Sequence, residues 1–184
     1  MFYVLITLII VDLVFFVVTA GMGMLLESGE SLREHLLMGV VTAILLTFTH
    51  CLVLFYLIGS EGDVKEALEG HPAWREKYSR WAKGLKREAF PWGSLAVLLT
   101  IVAALMGAEV HSRLLLEAPP TEAPPLRGVT AWWIHLVFVI LALSANGIAF
   151  FKELRVVREN RRGITEINEL LAAESPRERL SEEG

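Results

Sequence analysis

Four long apolar stretches limit what this chain can fold into. They cover residues 2–26, 36–58, 92–115 and 131–151, and each is bounded by charged residues, glycine or proline. A helix needs about 20 apolar residues to cross the hydrocarbon core of a bilayer. With 54% hydrophobic residues among 184, the chain has more apolar surface than a soluble domain of this size can bury. We therefore predict an all-α integral membrane protein, a four-transmembrane-helix antiparallel bundle.

The basic residues are concentrated on one side of the predicted membrane. The loops between spans one and two and between spans three and four hold only Arg33, Arg113 and Arg127. Positive residues favour the cytoplasmic side, so loop 60–91 and both termini are predicted to be cytoplasmic, in a multi-pass protein of the cell's inner or plasma membrane. Basic residues beside spans indicate lipid contact, not nucleic acid. The loop and the segment after span four carry Lys65, Arg75, Lys77, Arg80, Lys83, Lys86, Arg87, Lys152, Arg155, Arg158, Arg161 and Arg162.

Two polar segments are predicted to contain amphipathic helices. In residues 72–88, Pro72 is typical of a helix start, and Trp74, Tyr78, Trp81 and Leu85 follow at helical spacing among lysines and arginines. We predict a cytoplasmic helix that lies on the inner leaflet, and the alternative is a helix packed on the base of the protein. Residues 163–184 are predicted to be a cytoplasmic tail with a short amphipathic helix, after a membrane domain of residues 1–162.

Each span carries a narrow face of small and polar residues. Helices associate in lipid through such faces, so the faces are predicted to meet in the bundle interior. At about 1.5 Å per residue, Asp12 and His50 fall at one level and His111 and His135 at an outer level, with His35 and Glu27 just above. The faces are Asp12, Thr19 and Gly23; Gly39, Ala43 and His50; Gly93, Ala96, Thr100, Ala103, Gly107 and His111; and His135, Ala142, Asn146 and Ala149.

The outer histidines suit a b-type haem. Such a haem needs two axial imidazoles that face each other from packed helices. His111 and His135 match in depth and face, and His35 is an alternative for either one. We therefore expect a membrane electron-transfer protein, a b-type cytochrome-like subunit that binds one haem b near the outer face and works with a quinone or a redox partner.

Other hypotheses remain open from the sequence. His35, His111 and His135 with Glu27 would suit a Zn or Cu ion. Asp12 and His50, with Asn146 nearby, would suit a proton relay, or a neutral hydrogen bond that fixes helix register. The chain could also bind no cofactor and be a small non-catalytic subunit or assembly factor beside other membrane subunits.

The layout is similar to that of small bacterial four-span di-haem cytochromes, whose helices carry haem-ligating histidines. This chain departs from that pattern because span one has no histidine and span four has only His135. His50 in the inner layer also has no histidine at its own depth. A second bis-histidine haem is therefore not expected, and no site residue is assigned from the resemblance.

Overall fold

Four long helices make up the computed structural model, which describes the backbone of residues 2–25, 29–117 and 130–182 and the side chains of residues 2–25, 31–111 and 132–174. Helix α1 runs from Phe2 to Met24, α2 from Gly29 to Ala67, α3 from Pro72 to Glu117 and α4 from Thr130 to Glu182. Each helix contains one of the apolar stretches, and all four are long and apolar enough to cross a membrane. The all-α, four-helix prediction is confirmed.

The helices alternate in direction and pack around a common axis. Each helix packs against the next one along the chain, and α4 also contacts α1 and α2. Because α2 and α4 are separated by one antiparallel helix, they run in the same direction and face each other across the bundle. Large apolar side chains such as Val17, Ile44 and Leu105 point outward and are 60–67% exposed. An outer surface of this kind fits lipid, and the chain is a multi-pass membrane protein.

Helices α2, α3 and α4 continue well beyond the apolar spans at one end, here called the polar end (residues 59–91 and 154–174). A short turn at residues 68–71 joins α2 to α3, where the His71 backbone N–H donates to Leu68 O over 3.1 Å. Tyr78 and Ile167 are buried here beside Val64 and Leu68 of α2. The polar end is therefore a three-helix bundle with its own core.

This arrangement differs from the helix that we expected on the inner leaflet. Residues 72–88 are the first part of α3, continuous with its span, and their apolar side packs on α2 and α4. The aromatic residues Trp74, Tyr78 and Trp81, whose spacing predicted contact with lipid, pack against Leu68 and Ile167 instead. The predicted tail also has no separate helix, because α4 continues through Gly163 without a break.

Candidate functional site

A cavity of about 450 Å³ lies between the four helices in the half of the bundle away from the polar end. His35, His111 and His135 line it, so the structure brings together the three histidines of the predicted outer layer. Three threonine side chains, Thr19, Thr42 and Thr100, also reach it. The rest of the wall is almost entirely apolar and includes Phe16, Leu32, Leu36, Leu46, Trp132, Leu136 and Val139. Such a volume and lining suit an apolar ligand that is fixed by a few polar groups.

His135 is held in one orientation by its neighbours on α3. Its Nδ1 lies 3.0 Å from the backbone oxygen of Ala103, which accepts its hydrogen. The Cε1 side of the ring lies close to Gly107, where an added Cβ would be 3.0 Å from His135 Cε1. Since Nδ1 carries the hydrogen in the neutral ring, Nε2 carries the lone pair. Metal-binding histidines are commonly prepared in this way, by a hydrogen bond from the second ring nitrogen to a backbone carbonyl.

His35 approaches the same cavity from α2. Its ring packs on Gly23 of α1, where an added Cβ would lie 2.8 Å from His35 Cε1. Its Nδ1 is buried and has no hydrogen-bond partner among the described residues. His35 is also close enough to His135 and His111 for their charges to interact. The side chain is thus positioned by packing and by a hydrogen-bonding interaction with the backbone of Thr19.

His111 lies farther toward the outer end of the cavity. It is one helical turn beyond Gly107, against which His135 packs. Its Nδ1 is buried without a hydrogen-bond partner among the described residues, and its ring is within electrostatic range of Arg33. Glu27, the fourth residue of the predicted metal site, lies outside the described residues. Among those described, no group of three or more His, Cys, Asp or Glu side chains is arranged to hold a metal ion.

A second polar site lies deeper in the bundle and is centred on His50. Its Nδ1 is 2.8 Å from Glu153 Oε1, and its Nε2 is 2.9 Å from Asn146 Oδ1. Both the His50 and the Glu153 side chains are fully buried. The imidazole also stacks on the ring of Phe150, with centroids 4.7 Å apart. The polar partners of His50 thus come from α4, on the far side of the bundle.

Asn146 determines which His50 nitrogen carries a hydrogen. The Asn146 Nδ2 group donates to Ala142 O over 2.7 Å and to Thr100 Oγ1 over 3.0 Å. Because a carbonyl oxygen can only accept, this orientation of the amide is fixed and Oδ1 must face His50. His50 Nε2 therefore donates to Asn146. A single proton then lies between His50 Nδ1 and Glu153 Oε1.

Asp12 is the third ionisable residue of this inner site. It is 1% exposed, and neither carboxyl oxygen has a hydrogen-bond partner of good geometry among the described residues. It interacts with Thr49 of α2 and electrostatically with His50. The hydrogen-bonded partners of His50 are Glu153 and Asn146, whereas Asp12 interacts with His50 electrostatically.

Glu153 was missed in the sequence because it follows the apolar stretch 131–151. The signal was present, since Ala142, Asn146, Ala149 and Glu153 continue one helix face at intervals of four, three and four. Gly93 of α3 makes room for the carboxyl group, because an added Cβ there would lie 2.9 Å from Glu153 Oε1. The face of small residues on α3 thus accommodates the polar side chains of α4.

A separate polar network lies at the polar end. Asn160 Nδ2 donates to Tyr56 Oη over 3.1 Å and to Ser60 Oγ over 2.7 Å. A buried apolar layer separates this network from His50 and Glu153. That layer is formed by Val53, Leu57, Val156 and Val157. On the other side, Asn146 and Thr100 connect the inner site to the wall of the cavity.

Comparison with known proteins gives no relative from which to assign a role. The chain matches no protein-family model, no curated protein and no solved structure. The functional conclusion therefore depends on the cavity and the inner site themselves.

Proposed function

We propose that this chain is a membrane electron-transfer subunit that binds one b-type haem in the histidine cavity and exchanges electrons with a quinone or a redox partner. One observation carries the proposal. The His135 Nδ1–Ala103 hydrogen bond leaves Nε2 as the lone-pair nitrogen of a side chain that lines an apolar cavity with two further histidines. This is the preparation expected of an axial ligand to iron.

His35 is the better second ligand, because α2 and α4 face each other across the bundle and run in the same direction. The contacts of His50 align the two helices, since His50 lies between Asn146 and Glu153. Counting back 15 residues from His50 gives His35, and counting back 11 from Asn146 or 18 from Glu153 gives His135. The two histidines therefore share a level on opposite sides of the cavity. This choice replaces His111, the first partner suggested by the sequence.

The remaining lining supports the same ligand. Apolar walls would enclose the porphyrin, and Gly23 and Gly107 let the two imidazoles lie directly on neighbouring backbones. Arg33, which interacts with His111, supplies a positive charge at the outer end for the haem carboxylates. A bound haem would give the protein a group that accepts and returns single electrons.

The membrane orientation is part of this proposal. The polar end and the residues next to it carry the basic residues of segments 60–91 and 152–162, and such residues favour the cytoplasmic side. The haem would then lie in the outer half of an inner or plasma membrane. Electrons would be exchanged with a lipid-soluble quinone or with another membrane subunit on that side.

A visible spectrum of the purified full chain tests the proposal. The chain is produced with haem available and recorded in oxidised and reduced states. We expect a Soret band and a sharp reduced α-band, lost in His135→Ala and in His35→Ala. His71→Ala is the matched control, because His71 lies in the turn at the polar end, and it should keep the spectrum.

The same series tells the alternatives apart. If His111→Ala abolishes the bands and His35→Ala does not, the axial pair is His111 with His135. A folded wild-type chain that stays colourless with haem supplied rules the haem function out. In that case the role of a cofactor-free subunit or assembly factor would be favoured.

A further inference from the structure

We propose that Asp12, His50 and Glu153 form a proton-binding site inside the membrane, which holds two exchangeable protons among three groups, one of them on Asp12. The site is distinct from the histidine cavity and does not depend on haem. Its three side chains come from α1, α2 and α4 and are at most 1% exposed. Unpartnered buried oxygens of Asp12, Glu153 and Thr49 mark it.

The first proton follows from the orientation of Asn146. Asn146 Oδ1 accepts from His50 Nε2, because its Nδ2 is committed to Ala142 O and Thr100 Oγ1. The short contact of 2.8 Å between His50 Nδ1 and Glu153 Oε1 then needs one proton between two atoms that both have lone pairs. This proton makes the His50–Glu153 pair neutral overall, whichever of the two atoms holds it.

The second proton follows from the balance of charge. With the pair neutral, an ionised Asp12 would leave one negative charge in a medium of low dielectric constant. Among the described residues, the charged groups that interact with Asp12 and Glu153 are only those of the site itself, so no lysine or arginine balances this charge. Helix α1 contributes Asp12 alone, α2 contributes His50 with Thr49, α4 contributes Glu153 with Asn146, and the facing segment 89–108 of α3 has no titratable residue.

The absence of hydrogen bonds points the same way. A buried carboxylate is normally stabilised by two or three donors, whereas neither Asp12 oxygen has a donor of good geometry among the described residues, and the neighbouring Thr49 hydroxyl can supply only one. A protonated carboxyl group in the same place carries no charge, so its burial without hydrogen-bond partners costs much less free energy. Asp12 therefore holds a proton at neutral pH, next to the neutral His50–Glu153 pair.

The surroundings determine where this proton is exchanged. Toward the polar end, the buried apolar layer of Val53, Leu57, Val156 and Val157 separates the site from the next polar groups. In the opposite direction, Asn146 bonds to Thr100, which lines the histidine cavity. The polar side chains next to the site thus lie on its cavity side, where we expect the proton to be exchanged.

Aspartate labelled with ¹³C at the side-chain carboxyl provides a direct test, because Asp12 and Asp63 are the only aspartates in the chain. The full-length protein in lipid nanodiscs, prepared without haem, is titrated by carbon NMR. Asp63→Asn assigns the two signals without touching the site, since Asp63 lies exposed at the polar end. We expect Asp12 to give the signal of a protonated carboxylic acid at pH 7.

Two outcomes would overturn the proposal. An Asp12 signal that is a carboxylate across neutral pH would show that the site holds only one proton. If the protonated signal is lost when sodium is added at constant pH, the unpartnered oxygens bind a cation and not a proton. The Asp12→Asn variant should fold and lose only the protonated signal. If the protein binds no haem but still gives the protonated Asp12 signal, the haem proposal fails and the proton-site proposal stands.

Discussion

The Nδ1 atom of His50 lies 2.8 Å from Oε1 of Glu153, and both side chains are completely buried. The two residues are 103 positions apart in the sequence and join helices α2 and α4 across the bundle. A buried pair of this kind fixes the relative height of two parallel helices, because a shift by one residue would leave both groups without a partner. The height of the outer histidines follows from it.

Gly93→Ala should disturb this pair from the opposite helix. The new Cβ would lie 2.9 Å from Glu153 Oε1 and 3.8 Å from the side chain of Leu54. Since Glu153 cannot move without losing His50, we expect the free energy of unfolding to fall by about 1–3 kcal/mol. Thermal unfolding in detergent, followed by circular dichroism, measures the change.

Gly84→Ala is the matched control for that substitution. It lies in the same helix, and a Cβ there meets no atom within 4 Å. Replacement of an exposed helical glycine by alanine should leave stability unchanged or raise it by up to about 1 kcal/mol. Equal effects of the two substitutions would show that Gly93 is not needed for space beside Glu153.

Asn146→Ala tests whether His50 Nε2 carries a hydrogen that Asn146 accepts. His50 Nε2 would keep its hydrogen and lose its acceptor, which leaves a buried donor unpaired at a cost of about 1–3 kcal/mol. Thr100→Val is the comparison, since Asn146 would still donate to Ala142 O over 2.7 Å. Unfolding measurements on both variants should rank Asn146→Ala as the more damaging, and the reverse order would contradict the assigned orientation of the amide.

The spans could be predicted from the sequence because about 20 consecutive apolar residues have few alternatives in water or lipid. The helix lengths could not. Trp74, Tyr78 and Trp81 have the same helical spacing whether they face lipid or a neighbouring helix, so the pattern alone does not distinguish the two. The partner surface at Leu68 and Ile167 becomes apparent only when α2 and α4 are seen to extend beside α3.

The candidate sites were predictable to different degrees. Helix face and depth were sufficient to group His35, His111 and His135, because a straight helix converts residue number into height. Glu153 was not predicted, since hydropathy ends the fourth span at residue 151 and a charged residue beyond it is normally solvated. Its burial depends on Gly93 and His50, which come from two other helices and are not visible in the local sequence.

Gly107→Ala should weaken cofactor binding without removing a ligand. The added Cβ would lie 3.0 Å from His135 Cε1 and push the ring away from Ala103 O. We expect the haem content of the purified protein to fall several-fold, because His135, the proposed haem ligand, would lose its orientation. Gly147→Ala in α4 has no atom within 4 Å of the new Cβ and should retain the wild-type haem content. Unchanged absorbance in Gly107→Ala would argue against His135 as a ligand.

Gly163→Ala should separate helices α3 and α4 at the polar end. The added Cβ would overlap with the six-membered ring of Trp81. This ring is rigid and partly buried against its neighbours. We expect a loss of about 1–3 kcal/mol in stability as the indole is displaced. Gly62→Ala meets no atom within 4 Å and serves as the control. Tryptophan fluorescence should shift in the first variant only.

Lys86→Met should destabilise the polar end through Glu61. This carboxylate is only 6% exposed and bonds to both Lys86 of α3 and Lys65 of its own helix, the latter over 2.6 Å. Removal of Lys86 leaves a buried charge with one partner, and we expect a cost of about 1–3 kcal/mol. Lys65 is 40% exposed, so Lys65→Met should cost less, about 0–1 kcal/mol. The double variant Glu61→Gln with Lys86→Met should recover part of the loss, because no buried charge then lacks a partner, and Lys65 is exposed enough to be solvated. Additive losses in this double-mutant cycle would show that the two side chains do not interact.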